Sequence, residues 1–254
     1  MKKNILNTKK TAFFSALESR TSNLHGLKEC FDKMSVKQAY QVQNDIIKST
    51  DVGVVGWKLG GVNSKTRDLF SVEELYWGPI FDTCILNNPS QLMLDCGEVE
   101  VALKFSDNIE RIQRNITPVD LSMCIESVAL SIEYPHSIFP NVVALGVSAL
   151  ISDCCGSGQC LLGKEIPFSQ FSGAANIKVN IDTVEVETCA TDILIDGLYQ
   201  TVCDFINRSL EFGFELKGGQ WVFTGGLSEC RAYKPGSFLK IDCDTLPNIS
   251  YKVI

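Results

Sequence analysis

Two glutamates lie one residue apart in a short apolar run over residues 97–105, Gly-Glu-Val-Glu-Val-Ala-Leu-Lys-Phe. This composition is typical of a β-strand, in which Glu98 and Glu100 share one face with their Cα atoms about 6.6 Å apart. Like charges on one face repel unless a cation lies between them. Carboxylate oxygens favour magnesium, calcium or manganese. The spacing indicates a metal site, and Glu133, at the end of another apolar run, is a candidate third ligand.

A second interpretation of the glutamate pair stays open on spacing alone. The outer face of an antiparallel sheet is often acidic, and Glu-x-Glu on a strand is common without a metal.

A lysine in an apolar setting is the next chemically informative residue. Lys58 lies between Trp57 and Leu59, with a glycine on either side of the three. Loss of hydration would lower the pKa of such an ammonium and make it a proton carrier, although carboxylates or a metal nearby would modify this. The alternative is a surface lysine on an edge strand.

The elements that must position these residues follow from the patterning. Apolar spacing and caps predict helices over 9–19, from a Ser35–Gln38 capping box, over 117–127 and over 191–212. Short β-branched runs between turn residues predict strands over 54–59, 80–86, 98–105, 129–134, 177–181, 183–188, 220–224 and 238–243. This order predicts an α+β fold, with a helical N-terminal region over 1–52 and a β-rich catalytic domain over 53–254.

Bulk composition narrows the class of protein. The 254 residues are 45% apolar and 21% charged, an ordinary soluble mixture that can bury a full core. The net charge of -7 argues against a nucleic-acid partner. No apolar stretch approaches the ~20 residues of a membrane span, and the N-terminus lacks the apolar segment of a signal peptide. We therefore expect a cytoplasmic protein without a membrane partner.

The cysteines point to the same compartment. The chain has eleven of them, an odd number, scattered from Cys30 to Cys243. This pattern predicts thiols that serve as small buried apolar groups in a reducing cytosol. Cys154, Cys155 and Cys160 lack the spacing of a zinc site, so structural thiols are the favoured interpretation there too.

Several short motifs occur in a fixed order along the chain. They are Ala39-Tyr40-Gln41-Val42-Gln43, Gly56-Trp57-Lys58-Leu59-Gly60, Trp77-Gly78-Pro79-Ile80-Phe81-Asp82, Glu98-x-Glu100, Glu133, Ser152-Asp153 and Phe223-Thr224-Gly225. The ordered set resembles the 2-keto-4-pentenoate hydratase branch of the fumarylacetoacetate hydrolase superfamily, from about residue 10 to the end. The resemblance implies a mixed β-roll or sandwich core behind a small helical region, and a homo-oligomer.

The resemblance also implies a chemistry. Mg²⁺ or Mn²⁺ would be held by Glu98, Glu100 and Glu133, and the substrate would be a small 2-oxo acid. Hydration of a 2-hydroxy-2,4-dienoate to a 4-hydroxy-2-oxo acid, through a metal-bound enolate, is the expected reaction. Lys58 matches the family's active-site lysine, and Asp82 falls where an acid could position water.

Further residues match the family's substrate-binding positions, with departures. Thr224 and Gly225 match a turn that approaches the bound acid, and Asp153 would orient the site. Residues 133–137 are Glu-Tyr-Pro-His-Ser where the branch has Glu-x-x-Asp-x-Arg. Residues 152–156 are Ser-Asp-Cys-Cys-Gly where it has Ala-Asp-Asn-Ala-Ser, with Ser157 one place on.

These departures keep other reactions open. One is decarboxylation of an oxalocrotonate-type 2-oxo diacid, which passes through the same enolate. Another is a non-catalytic relative that binds a small acid. C–C hydrolysis is less favoured, because it needs a His–Glu pair and only His25, near Glu29, lies upstream of the glutamates. His136 could replace a lost polar group or be an ordinary surface histidine.

Overall fold

Two β-sheets and a few helices make up the fold. The computed structural model describes residues 24–86, 88–92, 96–112, 115–139 and 141–253. The strands are β1 Val54–Gly60, β2 Tyr76–Phe81, β3 Ile85–Leu86, β4 Cys96–Phe105, β5 Ile125–Tyr134, β6 Gln159–Leu162, β7 Ile166–Pro167, β8 Asn176–Ile181, β9 Val184–Ala190, β10 Trp221–Phe223, β11 Arg231–Ala232, β12 Phe238–Cys243 and β13 Ile249–Lys252. The helices are α1 Leu24–Asp32, α2 Val36–Ser49, α3 Ser64–Phe70, α4 Leu121–Cys124, α5 Val142–Leu145, α6 Val147–Ser152 and α7 Leu198–Glu211.

The larger sheet is mixed and has the order β2-β1-β10-β4-β5-β6-β3, with β11 added beside β4 and β7 beside β5. β1 and β10 run parallel, whereas β10, β4 and β5 pair antiparallel. The smaller sheet is antiparallel, in the order β13-β12-β8-β9. Its buried residues Ile177 and Leu239 belong to the same continuous core as Val99 and Val101 of β4. The predicted α+β class with a mixed β-roll core is confirmed.

The second helix has the predicted start. Gln38 N donates to Ser35 Oγ at 3.2 Å, and Ser35 N donates to Gln38 Oε1 at 2.9 Å, which completes the capping box. Gln43 on its buried face donates from Nε2 to the carbonyls of Trp77 and Ile151, both at 3.0 Å. These bonds fix α2 against β2 and α6. The predicted helix over 9–19 lies outside the described residues, and the division of the chain at residue 52 stays a prediction.

Other predicted elements need correction. The helix over 117–127 begins as predicted, with Thr117 preceding a 3-10 turn at Pro118–Asp120 that leads into α4, but it ends early at Cys124 because β5 begins at Ile125. Pairing with the whole length of β4 outweighs the local helical spacing there. The helix over 191–212 begins only at Leu198, since Ile195 N donates to Val62 O at 3.0 Å and diverts the chain. The strand over 80–86 is broken by a turn at Asp82–Cys84.

Helix length also bears on membrane insertion. Among the helices of the described residues, none combines the length and the apolar character that a membrane crossing requires.

Candidate active site

Three glutamates converge where β4 lies beside β5. Glu98 faces Glu133 directly across the antiparallel pair, and Glu100 follows on the same face of β4. One carboxylate oxygen from each residue lies within 4.8 Å of the others. Glu100 and Glu133 are 0% exposed, and Glu98 is partly exposed. The sheet therefore presents three acid groups at one point, open to solvent on the side of Glu98.

The electrostatics of this cluster are unfavourable for three bare carboxylates. Burial raises the pKa of Glu98 to about 7, and the charge of Glu133 adds to the effect. Burial, followed by repulsion from Glu98 and Glu133, holds the pKa of Glu100 well above its usual range. Within the described part of the chain, Glu100 Oε1 has no hydrogen-bond partner although it is buried. Hard oxygens at this separation, one of them unsatisfied, fit a divalent cation such as Mg²⁺ or Mn²⁺.

A buried lysine partly compensates the glutamates. Lys58 is 6% exposed, and its Nζ donates to Glu133 Oε1 at 2.8 Å. Burial alone would lower the pKa of Lys58, but Glu133, Glu98 and Glu100 outweigh it and hold that pKa above its usual range. The expected lowering of this pKa is therefore reversed in the site as described. Lys58 is a firmly protonated donor beside the acids and does not lie on an exposed edge, because β1 has a strand on either side.

The segment after β10 presses its backbone against two of the glutamates. Thr224 donates from Oγ1 to Val101 O at 2.8 Å, which holds the segment on β4. Gly225, at a φ of +91°, donates from its N–H to Glu100 Oε2 at 3.1 Å. A Cβ on Gly226 would lie 2.3 Å from Glu98 Oε2, so only glycine allows this approach. Thr224 and Gly225 are thus brought to the site.

Gly226 was not among the predicted site residues. The only signal for it in the sequence is the Gly-Gly pair that follows Thr224, and a glycine pair by itself indicates no more than a turn. Cys160 was also missed. It is buried in β6 directly opposite Glu133, and burial followed by the charge of Glu133 raises the pKa of its thiol. No local pattern in the sequence marks that pairing.

The two stretches that depart from the family pattern contact one another. Asp153 is buried, and its Oδ2 accepts bonds from Ser137 Oγ at 2.7 Å and Ile138 N at 2.9 Å. His136 N donates to Gly156 O at 2.7 Å. The changes at 133–137 and 152–157, which include the buried Ser157, are therefore parts of one local structure.

This local structure reaches β2 through a strained turn. Cys154 and Cys155 both have left-handed φ angles, 54° and 53°, which side-chain-bearing residues seldom adopt. The Cys154 carbonyl oxygen lies 2.3 Å from where a Cβ on Gly78 would be, and Gly78 pairs with Lys58. The strained turn therefore packs on β2, on the same face of the sheet as the Lys58 side chain.

Asp82 is a predicted site residue that lies away from the glutamates. It is exposed in the turn after β2. Gly78 is the residue opposite Lys58, and Asp82 lies four residues further on. That separation is about 13 Å along an extended strand.

Comparison with known proteins supports the fold. No protein-family model and no curated protein matches the chain. Among solved structures, 4-oxalocrotonate decarboxylase from Pseudomonas putida G7, complexed with magnesium and adipate, matches at a TM-score of 0.79 and 17% identity, over 100% of this chain and 98% of that one. The same enzyme complexed with calcium and acetate matches at a TM-score of 0.78, also at 17% identity and with the same coverage.

A third solved structure is more distant. Fumarylpyruvate hydrolase from Pseudomonas aeruginosa, in complex with Mn²⁺ and pyruvate, matches at a TM-score of 0.60 and 16% identity, over 78% of this chain and 88% of that one. The structural neighbours are proteins of the fumarylacetoacetate hydrolase superfamily, and this chain has their fold.

Proposed function

We propose that this protein is a divalent-metal-dependent lyase that acts on a small 2-oxo acid. The observation that carries the proposal is the convergence of Glu98 with the buried Glu100 and Glu133, with Lys58 bound to Glu133 at 2.8 Å. The three solved structures described above are of enzymes complexed with magnesium, calcium or Mn²⁺ and with small carboxylic acids. These support both the cofactor, Mg²⁺ or Mn²⁺, and an acidic ligand.

The three glutamates would hold the cation through one oxygen each. A bound Mg²⁺ or Mn²⁺ supplies Lewis-acid polarisation of a keto oxygen and offsets the negative charge of an enolate. Glu100 is kept in place by the Gly225 N–H, and the close backbone of Gly226 limits where the Glu98 carboxylate can lie. Because Gly225 and Lys58 hold Glu100 and Glu133 before any ligand arrives, these two residues need little reorganisation on binding.

Lys58 is the residue that we propose to carry the proton. Its Nζ holds a proton beside Glu133, within a site whose inner members are shielded from solvent. An ammonium in that position can deliver its proton to C5 of the substrate, and the amine that this leaves can then take up the proton of the 2-hydroxyl, so that the lysine ends protonated as it began. We do not assign Asp82 a role in this step, because the strand register places it about 13 Å from the position opposite Lys58.

The reaction we propose first is hydration of a 2-hydroxy-2,4-dienoate. The 2-hydroxyl gives up its proton, C5 gains one, and the conjugated 2-oxo-3-enoate that results adds water across C3 and C4. The product is a 4-hydroxy-2-oxo acid, and one water is consumed for each substrate. This reaction is the one expected for the hydratase branch that the motif order resembles.

Decarboxylation of an oxalocrotonate-type 2-oxo diacid is the second candidate. The observation in its favour is that two complexes of a 4-oxalocrotonate decarboxylase match the whole length of this chain. Loss of carbon dioxide leaves an enolate that takes up one proton, so Lys58 and the glutamates would have the same roles. The two stretches at 133–137 and 152–157 are where we expect the choice of substrate to be made, since both depart from the hydratase pattern.

One assay separates these proposals. The full chain is incubated with 2-hydroxypenta-2,4-dienoate, with Mg²⁺ and then with excess chelator, while the diene absorbance is followed. A parallel incubation contains the oxalocrotonate-type diacid, and carbon dioxide is measured in both. Metal-dependent loss of absorbance without carbon dioxide supports hydration, and carbon dioxide from the oxalocrotonate-type diacid supports decarboxylation. Metal binding without turnover of either substrate refutes the lyase proposal and favours a binding protein.

A further inference from the structure

Two of the eleven cysteines stand apart from the others. Among these cysteines, all of which lie in the described part of the chain, Cys96 and Cys230 alone are exposed, and seven are buried. The expectation of buried thiols fits the seven but does not account for this pair. The two exposed thiols also lie together, with Sγ to Sγ 3.3 Å apart although the residues are 134 positions apart in the chain. Exposure and proximity thus coincide at one place.

The backbone around the pair is already held in register. Residues 224–232 run along β4 as a strap. Leu227 N donates to Val99 O at 2.8 Å, and Val99 N donates to Ser228 Oγ at 2.8 Å. Further on, Ala232 pairs with Cys96. The sulfurs are therefore placed by two hydrogen-bonded segments and not by two free loops.

The remaining distance is small. A disulfide has an S–S length of about 2.05 Å, so the thiols need to approach by about 1.2 Å. Rotation of exposed cysteine side chains covers such a distance while the backbone pairing stays intact.

We propose that Cys96 and Cys230 form a reversible disulfide that fastens the strap to the strand carrying Glu98 and Glu100. The oxidant is a low-molecular-weight disulfide. One cysteine thiolate attacks it, a mixed disulfide forms and one small thiol leaves. The second cysteine then displaces the other small thiol, so that two electrons and two protons pass to the small thiols. Exposed disulfides of this kind are readily reduced. This makes the bond reversible in a reducing compartment, as a switch requires.

The strap connects the proposed disulfide to the glutamate cluster. Its first residues, Gly225 and Gly226, contact Glu100 and Glu98, and its far end carries Cys230. The disulfide would close a covalent loop of more than a hundred residues, which disfavours the unfolded chain. We expect the oxidised protein to resist heat better. The disulfide does not depend on the proposed reaction, since it requires neither a metal nor a substrate.

The test uses the full chain under native conditions. Protein is incubated with excess glutathione disulfide, free thiols are blocked, and the digest is analysed by mass spectrometry. We expect a peptide linked through Cys96 and Cys230, two fewer free thiols per chain, a rise of several degrees in Tm, and reversal of all three by dithiothreitol. Cys230→Ser should show none of these changes. Cys30→Ser, a matched loss of a thiol outside the pair, should show all of them.

Each other outcome overturns the proposal. If glutathione remains attached singly to Cys96 or Cys230, the sulfurs cannot meet. If the thiol count falls by two in Cys230→Ser as well, a different pair is responsible. If the linked peptide forms but Tm is unchanged, the bond does not fasten the strap.

Discussion

Substitution of Gly226 by alanine should disturb the glutamate cluster without disturbing the fold. The added Cβ would lie 2.3 Å from Glu98 Oε2, whereas ordinary contacts of this kind are about 3.4 Å or more, so the two must separate by about 1 Å. The Glu98 carboxylate is the end of a flexible and partly exposed side chain, so it should be the group that moves. Gly226 thus tests whether Glu98 has to lie where the structure places it.

The expected effect is a loss of metal affinity, because one of the three proposed ligands is displaced. Disturbing a residue that orients a metal ligand typically lowers affinity by about 10- to 100-fold. That range corresponds to about 1.4 to 2.7 kcal/mol of binding free energy. Titration of metal-free protein with Mn²⁺, by calorimetry, measures this directly. Tm without metal should change little, because the carboxylate can rotate toward solvent.

The control for this experiment is Gly53→Ala. A Cβ on Gly53 would meet nothing within 4 Å, so the same change in composition is made without the contact. We expect Gly53→Ala to bind Mn²⁺ as the unaltered protein does. If Gly226→Ala binds Mn²⁺ equally well, Glu98 is not a ligand in the position described and the argument from its contact with Gly226 fails.

Three further predictions concern the charged groups themselves. Glu100→Gln should abolish metal-dependent turnover while raising the stability of the metal-free protein, since a neutral amide replaces a carboxyl group whose ionisation the fold opposes; activity assays and thermal melts check both. Lys58→Met should destabilise the fold by about 3 to 5 kcal/mol, because it leaves Glu133 buried without the partner it bonds at 2.8 Å; urea denaturation measures this. The pKa of Glu98 rises from 4.5 to about 7 on folding, so the folded state binds the proton more tightly than the unfolded chain does. The free energy of unfolding of the metal-free protein should therefore fall by about 2 to 3 kcal/mol as the pH rises from about 4.5 to 7. Saturating Mg²⁺ should remove most of this loss.

Each of these has a result that would contradict it. Full activity in Glu100→Gln would exclude that residue as a required ligand. A Lys58→Met variant as stable as the unaltered protein would mean that the buried ion pair contributes nothing to the free energy of unfolding. Stability of the metal-free protein that rises with pH over the same interval would show that the Glu98 proton is not favoured by folding.

Alternation along a strand was enough to place part of the site. The spacing of Glu98 and Glu100 put both on one face, and the structure has them there. Their relation to Glu133 depends on the register between β4 and β5, which no pattern within either strand specifies. Glu133 was a candidate because it ends an apolar run and because the family resemblance includes it, and neither signal specifies the register.

Long-range contacts account for most of what sequence patterns missed. The approach of Gly226 to Glu98 joins positions more than a hundred residues apart. The predicted lowering of the Lys58 pKa followed from its apolar neighbours in sequence, with carboxylates expected to modify it, and the nearby glutamates reversed it. The helix predicted over 117–127 ends three residues early for a related reason, since pairing with β4 outweighed local propensity from Ile125 onward.

The parallel pairing of β1 with β10 has a consequence for the order in which the protein can assemble. β10 is the three-residue strand between β1 and β4, and it pairs Gly56 with Trp221 and Lys58 with Phe223. Until synthesis has passed residue 223, the strand with the lysine has no neighbour connecting it to the strand with the glutamates. During translation the acids therefore emerge long before their cationic partner can be delivered to them. The ion pair between Lys58 and Glu133 can therefore form only after about seven-eighths of the 254 residues have been made.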